Sequence, residues 1–198
     1  MDNDNTTLDS MVKEAVVDYD MKYTYSDYLQ WDDDKRRELI DGVPYLMSAP
    51  TRSHQKVSGN LHIQFANLLK GKPCEVYYAP FDVRLNADTL DDTVVQPDLL
   101  IVCDESKLDE AGCIGAPDLT VEILSPSSSR HDTVRKFNTY RKNGVREYWI
   151  IDPERNTLAV HILSGSNYIT HLYSDTDKVP VHVLNNCTID LSEVFEKN

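Results

Sequence analysis

The sequence predicts an α+β fold in which a mixed β-sheet carries two main helices and ends in a β-meander. Three patterns point there. Two segments space apolar residues as helices do, residues 119–152 read strand-helix-strand, and the C-terminal part alternates at period two. With 198 residues and no Gly/Ser-rich linker, one domain is expected over 21–198, preceded by an acidic, disordered leader over 1–20.

Thr24-Tyr-Ser-Asp27 supplies a capping signal for a short helix through Tyr28, Leu29 and Trp31. Residues 37–47 read as a hairpin turning on Asp41-Gly42. From Ser53 to Leu69, the residues Val57, Leu61, Phe65, Leu68 and Leu69 form a helical stripe that Gly71 and Pro73 stop. Strands are expected at 75–79, 81–85 and 94–102, then a polar loop over 104–117. Leu119–Leu124 is a strand, and Ser125-Pro126-Ser127 starts a helix carrying Val134, Phe137 and Tyr140 inward. Gly144 ends that helix before a strand at 147–152, expected parallel to the first with a right-handed crossover. Residues 158–163, 168–173 and 179–184 form the meander.

Composition narrows the class. Hydrophobic residues make up 40% and charged ones 27%, values of a soluble globular chain. Apolar runs are strand-sized, which excludes a membrane-spanning helix, and Met1 to Asp9 is too polar for a secretory signal. Cys74, Cys103, Cys113 and Cys187 form no C-x-x-C pair, and all but Cys113 lie beside or within apolar segments. They read as reduced thiols of a cytoplasmic protein. Six histidines without ligand spacing argue against structural zinc. The net charge of −13 is unevenly spread. Residues 82–122 hold 11 acids against Arg84 and Lys107, whereas 130–146 hold Arg130, Arg135, Lys136, Arg141, Lys142 and Arg146 against Asp132 alone. That basic stretch is the place for an anionic substrate.

The chemistry gathers at two strand ends. If 94–102 and 119–124 pair antiparallel, Asp98 approaches Glu122, which alternation sets apart from Leu119, Val121 and Ile123. A carboxylate in an apolar strand is costly to bury alone, and two repel unless one is protonated or a cation intervenes. A hard divalent ion with oxygen ligands answers both problems. A plainer assignment stands beside each residue. Asp98 can be a turn residue after Pro97, Glu122 can pair with Arg84 or Lys136, and Lys136 can pair with Asp132 on a solvated helix face. Glu38 can pair with Arg36 or Lys56 on the surface, and His54 can be a plain helix-start residue.

The Pro97-Asp98…Glu122 pattern resembles the PD-(D/E)XK nuclease superfamily. A wider set resembles one branch of it, the "putative restriction endonuclease" family. The set comprises Glu38-Leu-Ile-Asp-Gly42, His54 at a helix head, Gln96-Pro-Asp98, Gly115-Ala-Pro-Asp-Leu-Thr-Val-Glu122-Ile-Leu-Ser-Pro126, Lys136-x-x-x-Tyr140-x-x-x-Gly144 and Glu147-Tyr-Trp-Ile-Ile-Asp-Pro153. The likeness covers about residues 24–175. It implies a restriction-endonuclease-like fold and a Mg²⁺- or Mn²⁺-dependent endonuclease hydrolysing DNA phosphodiesters. Asp98, Glu122 and the main-chain carbonyl of Ile123 would hold the ion. The superfamily usually places a lysine two residues after the second acid, where this chain has Leu124, so the resemblance points to Lys136 on the next helix. Glu38 matches the acid added from the N-terminal element. His54, Arg130 and Arg135 are the substrate-binding candidates. A homodimer is compatible with the sequence, and a membrane partner is not. Two alternatives stand: a nuclease fold that binds nucleic acid or a protein without cutting, and a hydrolase of a smaller phosphate ester.

Overall fold

The computed structural model describes residues 17–18, 20–126 and 130–195, without the side chains of 130–132. The expected leader falls almost wholly outside this range. Helix α1 (Tyr25–Tyr28) carries the expected box: Asp27 accepts from both the backbone N–H and the hydroxyl of Thr24. Strands β1 (Arg37–Ile40) and β2 (Val43–Leu46) form the expected hairpin. Its turn residues Asp41 and Gly42 both have positive φ, 49° and 76°, as a two-residue hairpin turn of this type requires. Helix α2 (Arg52–Leu69) buries Val57, Leu61, Phe65 and Leu69, and also His54 in its first turn, where Thr51 caps it.

After β3 (Glu75–Tyr78) and β4 (Asp82–Arg84) comes the first departure. The single strand expected over 94–102 is two, β5 (Val94–Val95) and β6 (Leu99–Val102), in different sheets. Pro97 has no N–H for a ladder, and the N–H of Gln96 is taken by the Glu38 carboxylate at 2.9 Å. The loop expected over 104–117 holds a 3-10 turn (Glu105–Lys107) and two short strands, β7 (Leu108–Asp109) and β8 (Gly112–Ile114). This buries Cys113, which sequence context left outside the apolar segments.

Strand β9 (Leu119–Ile123), helix α3 (Arg130–Lys142) and strand β10 (Glu147–Asp152) make the expected parallel unit. Strands β11 (Thr157–Ser164) and β12 (Asn167–Ser174) continue it as an antiparallel hairpin. The third meander strand does not join them. Residues 178–180 form β13, which pairs with β14 (Thr188–Asp190) in a separate two-stranded sheet before α4 (Leu191–Val194).

The strands form two six-stranded mixed sheets. The first runs β2-β1-β5-β4-β8-β7 and the second β12-β11-β10-β9-β6-β3. One face of the second sheet (Leu99, Ile101, Val121, Trp149, Ile151) packs on α2 and the C-terminal segment. The other (Leu100, Val102, Tyr148) packs on Tyr140 of α3 and on Ile40, Val83 and Val95 of the first sheet. The second sheet is therefore a middle layer, and the seam between the two sheets lies under α3. Cys74 and Cys103, expected as free thiols, are joined across β3 and β6 by a disulfide; Cys113 and Cys187 remain buried thiols. The compartment argument from reduced cysteines therefore loses two of its three residues. Among the described residues no helix is long and apolar enough to cross a membrane.

Candidate active site

The antiparallel β6–β9 register sets Leu99 opposite Val121, so Asp98 comes opposite Glu122, as strand alternation predicts. Glu122 lies on the face turned towards α3, and Asp98 sits at the strand end within reach of the start of α2. Asp98 is fixed by two contacts on Oδ2: it accepts from the Ile123 N–H at 2.7 Å and meets His54 Nε2 at 3.1 Å. His54 Nδ1 is buried with no hydrogen-bond partner.

Lys136 is the centre of the arrangement. Its Nζ donates to Glu38 Oε1 at 2.9 Å and to both oxygens of Glu122 at 3.0 and 3.1 Å, and only 8% of the residue is exposed. Lys136 and Glu38 are thus paired in the interior rather than at the surface. Of the two partners open to Glu122, Lys136 is the one it takes and Arg84 pairs with Asp91 instead, while the Asp132 side chain lies outside the described residues. The inward stripe of α3 is shifted accordingly: Val134, expected inside, is 53% exposed, and Lys136 is inside with Tyr140. A lysine with two buried carboxylates to satisfy outweighs one valine side chain.

Tyr140 is the residue the sequence analysis assigned to the core alone. Its ring is fully buried, and its hydroxyl donates to Glu122 Oε1 at 2.7 Å. The spacing Lys136-x-x-x-Tyr140 puts both donors on one helix face. Gln96 is a second addition. Its side chain links Arg36 to Asp82 and Tyr28, which holds the Gln96-Pro97-Asp98 corner in place.

The electrostatics follow from burial. Glu122 is pushed up from 4.5 to about 8, because desolvation and the negative Glu38 and Asp98 outweigh Lys136 and the Tyr140 hydrogen bond. Desolvation opposes the charge on Lys136, but Glu122 and Glu38 overcome it and hold the ammonium well above the usual lysine range.

Glu38, His54, Asp98, Glu122, Ile123, Arg135 and Lys136 all line one cleft of about 390 Å³. The Arg135 guanidinium lies over the Tyr45 ring, 3.8 Å from its centroid. The Arg130 side chain is outside the described residues. Lys142 and Arg146 pair with Asp41 and Asp118 on exposed surface, away from the cleft lining.

The donor set suits a hard divalent ion: two carboxylates, 18% and 13% exposed, at the floor of an open cleft where three acids gather around Lys136. Among the described residues no three His, Cys, Asp or Glu side chains cluster to form a cage by themselves. Asp98, Glu122 and the Ile123 carbonyl would therefore need water and substrate oxygens to complete the shell, the usual mode for magnesium.

The chain is 30% identical over 132 residues to an uncharacterized protein from Synechocystis, covering 66% of this chain and 68% of that one. Its fold matches the crystal structure of a "putative nuclease belonging to DUF820" from Anabaena variabilis with a TM-score of 0.71. That match has 20% sequence identity and covers 87% of this chain and 97% of the other. Residues 25–192 match the Uma2 family, described as "Putative restriction endonuclease", and the chain belongs to that family.

Proposed function

We propose that this protein is a divalent-metal-dependent endonuclease hydrolysing DNA phosphodiesters. The observation that carries the reading is Lys136, buried at the cleft floor and shared between Glu38 and Glu122, with Asp98 opposite. Asp98 and Glu122 are the acidic ligands, joined by the carbonyl of Ile123. A bound Mg²⁺ or Mn²⁺ would lower the pKa of a coordinated water and offset charge on the scissile phosphate.

The chain's own residues supply the rest. The Ile123 N–H and His54 engage one oxygen of Asp98, which leaves Oδ1 to face an ion. Tyr140 and Lys136 fix the plane of the Glu122 carboxylate. Glu38 anchors Lys136, and with Glu122 turned to an ion the ammonium would have an N–H freed to orient a water or donate to a phosphate oxygen. Arg135, steadied on Tyr45, and Arg130 at the start of α3 are the contacts for flanking phosphates.

A second reading is a nuclease fold that binds nucleic acid or a protein without cutting; the net charge of −13, which opposes contact with DNA phosphates, favours the protein partner. Incubation of supercoiled DNA with Mn²⁺ or Mg²⁺ separates the two. Nicking by wild type that is lost in both Asp98→Asn and Lys136→Ala supports the enzyme. Absence of cutting on DNA and on a small phosphodiester, with DNA still bound, supports the binder. Cutting that survives Asp98→Asn would remove the site assignment.

A further inference from the structure

The second sheet ends in an edge that lacks the usual protections. β12 pairs with β11 along all eight residues, from Thr157–Ser174 to Ser164–Asn167, with no bulge. Among the described residues nothing pairs with its outer side. Edge strands of this length are normally blunted by lysine, proline, a bulge or a covering segment. Here residues 156–174 contain no Asp, Glu, Lys, Arg or Pro, and this is the longest uncharged run of a chain that is 27% charged. Ile169 and Leu172 are 54% and 79% exposed, and their spacing puts them on opposite faces. The opposite edge of the same sheet, β3, is half as long and carries Glu75.

The two-residue turn Gly165-Ser166 sets the direction of the free groups. In such a hairpin the pair next to the turn, Ser164 and Asn167, exchanges hydrogen bonds, and every second pair follows suit. Tyr168, Thr170 and Leu172 therefore aim their backbone N–H and C=O groups away from β11, as does Ser174, whose N–H and C=O are already taken by Asp177.

We propose that β12 pairs antiparallel with the β12 of a second copy of this chain, joining two six-stranded sheets into one. Charge selects the occupant. Two chains of −13 repel wherever their acidic surfaces approach, and this strand is where that repulsion is least. A partner recognised through charge would find none here to read. Two identical strands about a two-fold axis are self-complementary: each supplies the donors and acceptors the other lacks, and each covers apolar side chains on both faces.

The test is the mass of the full chain in solution at high micromolar concentration, by sedimentation and light scattering, with amide exchange read on β12. Wild type should run at twice 22.6 kDa and protect the Tyr168, Thr170 and Leu172 amides. Leu172→Pro removes one outward N–H without touching the β11 ladder, and Ile169→Lys with Leu172→Lys adds charge without altering the backbone. Both should run as monomers with unchanged circular dichroism and unprotected outward amides. A monomeric wild type overturns the proposal, whether its β12 amides exchange freely or are protected by a segment of the same chain or by a peptide. A dimer that survives the double lysine variant also overturns it.

Discussion

Two glutamates on neighbouring parallel strands, Glu122 of β9 and Glu147 of β10, are both buried among apolar residues, and both have raised pKa values because of that burial. They point to opposite faces of the second sheet and meet different partners. Glu147 has neutral donors: the Trp149 indole N–H and the Val183 N–H, each at 2.8 Å. It ties the C-terminal segment to the sheet and is fully buried. Glu122 has a charged donor, Lys136, together with two further carboxylates and an open cleft. Neutral amides close a site. A shared lysine with surplus negative charge leaves a site that a cation can enter.

The sharpest way to break the contrast is Lys136→Met. Removing one member of a buried ion pair costs about 3–5 kcal/mol, so the metal-free variant should melt far below wild type and should not cut DNA. Mn²⁺ should restore more stability to the variant than it adds to wild type, because Glu122 and Asp98 remain to bind it. Equal Mn²⁺ stabilisation of the two proteins would show that Lys136 and the ion do not share Glu122.

The pH dependence comes next. Glu122 takes up a proton more readily folded than unfolded, so its contribution to stability is complete below pH 4.5 and is lost as pH rises through about 8. Glu147 shifts in the same direction. Urea midpoints of metal-free wild type should fall across this window. Glu122→Gln should flatten part of the fall and Glu147→Gln a further part. Asp82, also raised by burial, adds to the fall, and His161, lowered to about 4 by burial, opposes it below pH 6.5. Mn²⁺ should flatten the slope in wild type and have no effect in Glu122→Gln.

A smaller effect belongs to Glu147→Ala, which strands two buried donors at about 2 kcal/mol in all. Chemical denaturation should show that loss, while Mn²⁺ affinity and cutting per folded molecule stay at wild-type values. Smallest is Tyr140→Phe, which keeps the ring and removes one hydrogen bond worth about 1 kcal/mol. Calorimetry should find Mn²⁺ bound several-fold more weakly with the melting temperature little changed. An unaltered titration would return Tyr140 to the core alone.

Glu147, like Glu122, is a glutamate within an apolar strand, yet of the two Glu122 is the one that lines the cleft. Periodicity reports which face a residue takes, and it set Asp98 against Glu122 correctly. It is silent on what waits across that face, because the partners come from elsewhere in the chain: 98 positions separate Glu38 from Lys136, and 36 separate Glu147 from Val183. Lys136 was legible only through family resemblance, since helical spacing favours Val134 as the inward residue. The break between β5 and β6 was hidden for the same reason, as the N–H of Gln96 answers to a carboxylate 58 residues upstream. Tyr140 fits both descriptions, because its ring fills the core while its hydroxyl serves the cleft.

The seam between the sheets bears on when, during synthesis, the proposed site can be assembled. Glu38 belongs to the first sheet and Glu122 to the second, and Lys136 arrives on the helix laid over both. On a ribosome, where domains fold as the chain emerges, no half of this molecule holds a complete site: β1 must wait for β5, and Glu122 must wait for α3. Even then the far face of the middle layer is only partly covered, by α2, until residues 179–195 complete it. Under the proposed chemistry, cutting capacity appears late in synthesis and all at once, and a truncated product carries acids without the lysine that organises them.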